Sequence, residues 1–203
     1  MTDRTIYLVR HGRILLPDDE KRFIGQTDFP LNEEGVRQAE ALKKKLADVV
    51  ITSIHTSDLR RTKQTAQILS EGRSISVFEW KDLRELSLGT WEGLTFEEIR
   101  QRFPAEFEAR GKDIFNYRIP GGESFADCRT RVVGSFNDIL TKSDGNTLIV
   151  GHSGVNRLIL CHVLGMPSAK LFSINQDYGC LNIIENRDNC FRVRAINITD
   201  ALR

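Results

Sequence analysis

Residues 146–165 read NTLIVGHSGVNRLILCHVLG. The apolar run Leu148, Ile149, Val150 is short and bounded, which predicts a buried strand. The tight turn around Gly151 and Gly154 leads into a helix, and Gly165 and Pro167 mark its stop. Residues 5–15, TIYLVRHGRIL, begin the same way: Ile6 to Val9 reads as a buried strand that ends in Arg10, His11 and Gly12. Both units set a histidine just past the carboxyl end of a buried strand. In open α/β sheets that is where ligands bind, so His11 and His152 are expected to face one pocket.

The intervening chain fits this plan. Residues 31–47 predict an amphipathic helix with Asn32 as N-cap and Val36, Ala39, Leu42 and Leu46 on one face. DVVITSI (48–54) reads as a strand. SDLRRTKQTAQILS (57–70) reads as a helix opening at a Ser/Asp cap, and SISVF (74–78) as a short strand. Residues 92–117 are more polar and less regular, with a capping box at Thr95 and Glu98 before another helix. A further helix follows PGGES over about 125–140, and residues 180–186 and 191–198 predict a closing hairpin. Strands alternating with helices predict an α/β fold: three layers, α/β/α, with a mostly parallel central sheet and helices on both faces. No Pro/Gly/Ser-rich linker divides the chain, so residues 1–203 are expected to form a single domain.

With 29 basic and 28 acidic residues, the net charge of +1 argues against nucleic-acid or membrane-surface partners. No stretch approaches the roughly 20 apolar residues of a membrane span, and the apolar run after Arg4 is too short for a signal peptide. Cys128, Cys161, Cys180 and Cys190 form no C-x-x-C pair and match no zinc spacing, so reduced thiols in a cytoplasmic protein are expected.

A guanidinium at Arg10 matches phosphate or carboxylate oxygens in a bidentate manner. TSDLRRTKQTA supplies a second guanidinium at a helix start, where free N–H groups favour anions. Two histidines, two arginines and a helix N-terminus suit a phosphoryl group. The usual phosphate motifs are missing: there is no G-x-x-x-x-G-K-[ST] loop, no cysteine followed by five residues and arginine, and no D-x-D. A neutral imidazole is nucleophilic near neutral pH and can accept the phosphoryl group. Such a site is expected to need neither metal nor cofactor. Glu85 and Glu92, both in DLRELSLGTWEGLTF, are candidates for the general acid, one of them kept protonated by burial near other anions.

LVRHG, SDLRRTKQTA, LRELSLGTWEG, PGGES and IVGHSGVNR, in this order, resemble the histidine phosphatase superfamily, the phosphoglycerate-mutase-like fold, across residues 6–184. The resemblance implies that His11 is the phosphorylated nucleophile and that Arg10 and Arg61, rather than Arg60, grip the phosphoryl oxygens. It implies that His152 donates to the same oxygens and that Glu85 is the acid and base. Gly12, Gly25, Gln26 and Ser153 join Arg10, Arg61 and His152 as implied substrate-binding residues. His55 and His162 are expected to be structural, Trp91 a loop anchor, Arg60 and Lys63 solvated or rim residues, and Lys43 to Lys45 a solvated face.

The sequence departs from the family pattern after R-H-G. Arg13 stands where an acidic or polar residue is usual, and no asparagine occurs before Asn32. Positive charge at the mouth of the site and an altered substrate preference are expected.

The implied activity is metal-independent hydrolysis of a small organic phosphomonoester through a phosphohistidine. FIGQTDFPLNEEG and residues 164–185 look most like the α-ribazole-5′-phosphate phosphatases of cobalamin assembly. Broad-specificity and phosphoserine phosphatases, a phosphoglycerate mutase and a non-catalytic phospho-ligand binder remain alternatives. Residues 92–117 are expected to cover the pocket. The expected partner is the small-molecule substrate, and an oligomer is left open.

Overall fold

A computed structural model describes residues 3–18, 20–188 and 190–199. Strand β1 (Arg4–Arg10) is buried on both faces, with Ile6 and Leu8 toward one core and Val9 toward the other. Strand β4 (Thr147–Gly151) alternates likewise, Ile149 against Leu148 and Val150. This double burial is why both strands read as unbroken apolar runs. Each fully buried Ile or Leu contributes roughly 1.5–3 kcal/mol relative to exposure.

Helices α1 (Glu33–Lys45) and α2 (Arg60–Ser70) cover one face through Leu42, Leu46, Ala66 and Leu69. Helices α5 (Phe125–Lys142) and α6 (Ser153–Leu164) cover the other through Val132, Phe136, Leu158 and Ile159. With β2 (Ser53–Thr56), β3 (Ser76–Glu79), β5 (Leu181–Arg187) and β6 (Cys190–Ile198), the sheet order is β3-β2-β4-β1-β5-β6. The pairs among β1 to β4 are parallel, and β5 and β6 add antiparallel to one edge. The expected α/β/α layering and mostly parallel sheet are therefore present.

Several local expectations shift. The second strand starts later than predicted: Val50 is 75% exposed, and the ladder begins only at Ser53. Val49 and Ile51 still pack into the core, so their apolar character reflects packing without pairing. His55 lies inside β2. Asn32 does cap α1, accepting from Gly35 N–H at 2.8 Å, but Val36 is 42% exposed. Gly35 takes the inward place instead. A Cβ on Gly35 would lie 2.1 Å from Arg13 O, and one on Gly12 would lie 2.3 Å from Gly35 O. Helix α1 is thus pressed backbone to backbone against the R-H-G turn.

Helix α2 begins at Arg60 with Leu59 as N-cap and no side-chain cap. Ser57 is drawn off to His152 and Thr62, and Asp58 to Arg84. The capping box of Thr95 and Glu98 opens α3 (Phe96–Arg102), and the unanticipated α4 (Pro104–Lys112) follows with proline in its first turn. Gly165 ends α6 at φ +61°, left-handed as the sequence predicts. No helix among the described residues is long and apolar enough to cross a membrane.

Candidate active site

Parallel neighbours β1 and β4 are in register, Arg10 opposite Gly151. The residues that follow each strand therefore emerge side by side. His11 N–H donates to Gly151 O at 3.1 Å, and the imidazoles of His11 and His152 lie 5.1 Å apart between centroids.

His11 Nδ1 is 2.7 Å from Gly12 O. A carbonyl only accepts, so Nδ1 carries the proton and Nε2 keeps its lone pair. Burial, then Arg61 and Arg10, holds the His11 pKa well below the usual imidazole range. The ring is therefore neutral at physiological pH. His152 is fully buried, with Nε2 2.8 Å from Ser57 Oγ and Nδ1 accepting from Arg61 Nε at 3.2 Å. Its pKa is pushed down by burial and then by Arg61. With both nitrogens engaged, His152 can donate to a phosphoryl oxygen only after Nδ1 gains a proton and Arg61 Nε turns from it, and an arriving dianion favours both changes.

Arg61 donates Nη1 to Thr27 O at 2.8 Å and Nη2 to Gly25 O at 2.5 Å. Those carbonyls belong to a loop tied down by Glu92, whose carboxylate accepts from Gly25 N–H at 3.0 Å, Gln26 N–H at 2.7 Å and Leu88 N–H at 3.2 Å. Glu92 is thus occupied as a tether and does not line the cleft, whereas Glu85 does. Arg60 lies outside the site: it is exposed, and its N–H meets Asp28. Arg10 donates Nη1 to Gln176 O at 2.5 Å and lies 3.8 Å from the centre of the Tyr178 ring.

Glu85 accepts from Gly154 N–H and Leu86 N–H, both at 3.0 Å. The first donor is at the N-terminus of α6, and a Cβ on Gly154 would stand 2.6 Å from Glu85 Oε1. Donors, not other anions, surround this carboxyl; a bound phosphoryl group would be the neighbouring anion. Arg131 on α5 fixes the backbone behind it, donating to Arg84 O at 2.7 Å and Glu85 O at 3.1 Å while paired with Glu123.

Arg10, His11, Arg61, Glu85, Ser153 and Tyr178 line a cleft of about 1490 Å³. Gly12, Gly25, Gln26 and His152 are not among its lining residues and stand behind it: Gly12 N–H meets Thr65 Oγ1, and Gln26 Nε2 meets Glu85 O. Ser153 Oγ accepts from Arg157. Arg13 is exposed on the cleft wall. Of residues 92–117 only Phe96 reaches the cleft, while Ile99, Phe103 and Phe107 turn into the core. Among the described residues, no group of three or more His, Cys, Asp or Glu side chains is placed to hold a metal ion.

Sequence reasoning missed Tyr178 and Gln176, whose segment QDYG carries no periodic or charge signal, and Ser57, read only as a cap. The residues expected to be structural are so placed. His55 is buried between Trp80, Ser53 and Ser143, its pKa pulled down to about 4 by burial. His162 packs on Phe136 and Phe191, and Trp91 is enclosed with Phe23. Lys63 pairs with Glu79.

Buried neutral histidines make stability depend on pH. Unfolded, an imidazole takes up a proton near pH 6.5; folded, His11, His55 and His152 stay neutral to lower pH, His55 to about 4. Across that window the unfolded state holds more protons, so stability falls as pH falls. Denaturant unfolding at about pH 7.5 and about pH 5 should show a lower free energy at the acid value. His55→Gln should lessen the slope by one histidine's share; an unchanged slope would contradict this account.

The sequence model of the histidine phosphatase superfamily (branch 1) matches residues 6–199. Fructose-2,6-bisphosphatase of Saccharomyces cerevisiae is 35% identical over 165 residues, covering 80% of this chain and 34% of that protein. The chain thus spans about a third of the length of that relative. Phosphoserine phosphatase 1 of Hydrogenobacter thermophilus is 27% identical, covering 88% of this chain and 85% of its own length. The crystal structure of the α-ribazole phosphatase from Shigella flexneri superposes with a TM-score of 0.88 at 28% identity over 96% of both chains.

Proposed function

The chain belongs to the histidine phosphatase superfamily, and from that premise we propose that it is a metal-independent phosphomonoesterase working through a phosphohistidine on His11. The observation that carries this reading is the tautomer of His11. Nδ1 donates to Gly12 O, and the free Nε2 shares a cleft floor with Arg10 and Arg61.

In the proposed reaction Arg10 and Arg61 hold the phosphoryl oxygens, and His11 Nε2 attacks phosphorus in line with the leaving oxygen. The P–O bond breaks, and Glu85 delivers its proton to the departing alkoxide. Gly12 O stabilises the positive ring through Nδ1–H, and His152, protonated at Nδ1 as Arg61 Nε turns from it to the phosphoryl group, donates to an equatorial oxygen. Glu85 then takes a proton from water. The hydroxide attacks phosphorus, the P–N bond breaks, and inorganic phosphate leaves.

Residues 1–203 act in this reading as one unit in the cytoplasm, with 92–117 contributing Phe96 to one side of the cleft. The substrate is a small organic phosphate, and α-ribazole-5′-phosphate is the specific proposal. Two observations support it: the likeness to the Shigella enzyme over 96% of the chain, and the apolar side chains Ile14, Leu16, Ile24 and Phe96 among the cleft's lining, which suit an aromatic base.

The test is phosphate release from α-ribazole-5′-phosphate, phosphoserine, fructose-2,6-bisphosphate, 3-phosphoglycerate and p-nitrophenyl phosphate, with chelator present. The highest kcat/KM on α-ribazole phosphate is expected. Preference for phosphoserine or a sugar phosphate would keep the class and reject that substrate. Dominant mutase flux from 3-phosphoglycerate with 2,3-bisphosphoglycerate would reject hydrolysis, and no turnover of any ester would favour a phospho-ligand binder.

A further inference from the structure

We propose that a buried amide ring, closed by the reciprocal bonds of Gln176 and Asn182 and joined by Asn156, is the positioning device for Arg10. This inference rests on the reading of Arg10 as a phosphoryl clamp.

Among the described residues Arg10 has no carboxylate partner, and its Nε is buried without a hydrogen-bond acceptor. Its guanidinium is aimed by one polar contact, Gln176 O at 2.5 Å, with Tyr178 packed on its face. The direction of that carbonyl therefore sets the direction of the clamp. The absence of a carboxylate leaves the positive charge uncompensated for an incoming dianion.

Gln176 is locked through its side chain. Its Nε2 donates to Asn182 Oδ1 at 2.7 Å and Asn175 O at 2.8 Å. Its Oε1 accepts from Asn182 Nδ2 at 3.0 Å and Asn156 Nδ2 at 3.2 Å. Asn182 Nδ2 also donates to Leu8 O at 2.9 Å, on the strand that ends in Arg10. The three amides are no more than 3% exposed. Water cannot replace a lost member, so the ring holds a single arrangement. The ring joins β1, β5 and α6, the elements that carry Arg10, Asn182 and Asn156.

A ring that merely cements these elements would lower stability when broken but would not act through Arg10. A double-mutant cycle separates the two roles. Gln176→Met keeps the volume and removes the amide. Inorganic phosphate is the probe, its affinity measured by calorimetry and by competition with p-nitrophenyl phosphate, beside a melting curve for each variant. Gln176→Met should weaken phosphate about tenfold, as expected for a misaimed charged contact. In an Arg10→Ala background the same substitution should change affinity by less than about twofold, because the group it positions is gone.

An unchanged phosphate affinity in folded Gln176→Met, or an equal loss in both backgrounds, overturns the proposal. Should Gln176→Met fail to fold, Asn156→Ser, which removes one arm of the ring, carries the same cycle. Failure of the wild-type chain to hydrolyse any ester would overturn the phosphatase reading alone, since calorimetry still reads the clamp.

Discussion

His11→Ala is expected to lower kcat by roughly 10⁴-fold or more, the scale of losing a covalent nucleophile. The expectation follows from the hydrogen bonds of the two imidazoles and their directions. Gly12 O takes the Nδ1 proton, so the lone pair lies on Nε2, and burial beside Arg61 and Arg10 keeps the ring unprotonated. No second imidazole can step in, because His152 has Nε2 on Ser57 and Nδ1 on Arg61. The anion-binding groups survive the substitution. Inorganic phosphate should therefore still bind His11→Ala, with an affinity within a few-fold of wild type by calorimetry. A kcat within about tenfold of wild type would place the nucleophile elsewhere.

Glu85→Gln should separate leaving groups. A general acid contributes about 10²–10⁴-fold where the leaving oxygen needs its proton. Alkyl phosphates should lose about that factor, and p-nitrophenyl phosphate, whose phenolate leaves unaided, less than about tenfold. Glutamine keeps a carbonyl oxygen that can accept from Gly154 N–H, and Arg131 and Gln26 still hold the backbone at position 85. The backbone ties and one of the two N–H contacts are thus retained, while the ionisable proton and one acceptor oxygen are removed. Equal losses on both esters would assign the acid role to another group. Glu92 is a poor substitute: it does not line the cleft, as Glu85 does, and its carboxylate holds the backbone N–H groups of residues 25, 26 and 88.

The βα units at 5–15 and 146–165 were legible because strands buried on both faces are apolar throughout, and Gly165 needed its left-handed backbone. The pairing of His11 with His152 followed from placing both strands in one parallel sheet. Arg61 was not separable from Arg60 by local pattern; only the family resemblance chose between them. In the fold Arg61 is buried on the carbonyls of Gly25 and Thr27, whereas Arg60 is exposed.

The support behind the site was hidden for a physical reason. Gln176, Asn182 and Asn156 are neutral, scattered and of types common on surfaces, so nothing in their spacing marks them as a buried ring. Gly12 and Gly35 meet across 23 residues of sequence, and their shared need for close backbone approach appears only when α1 packs on the R-H-G turn. The start of β2 was misplaced because Val49 and Ile51 are apolar for packing, not pairing.

The most direct test of the phosphohistidine is to quench the enzyme during turnover of a labelled phosphomonoester and examine the bound label. The account predicts label on the peptide containing His11, lost in acid and stable in alkali. Label that survives acid, or that remains in His11→Ala, would contradict it.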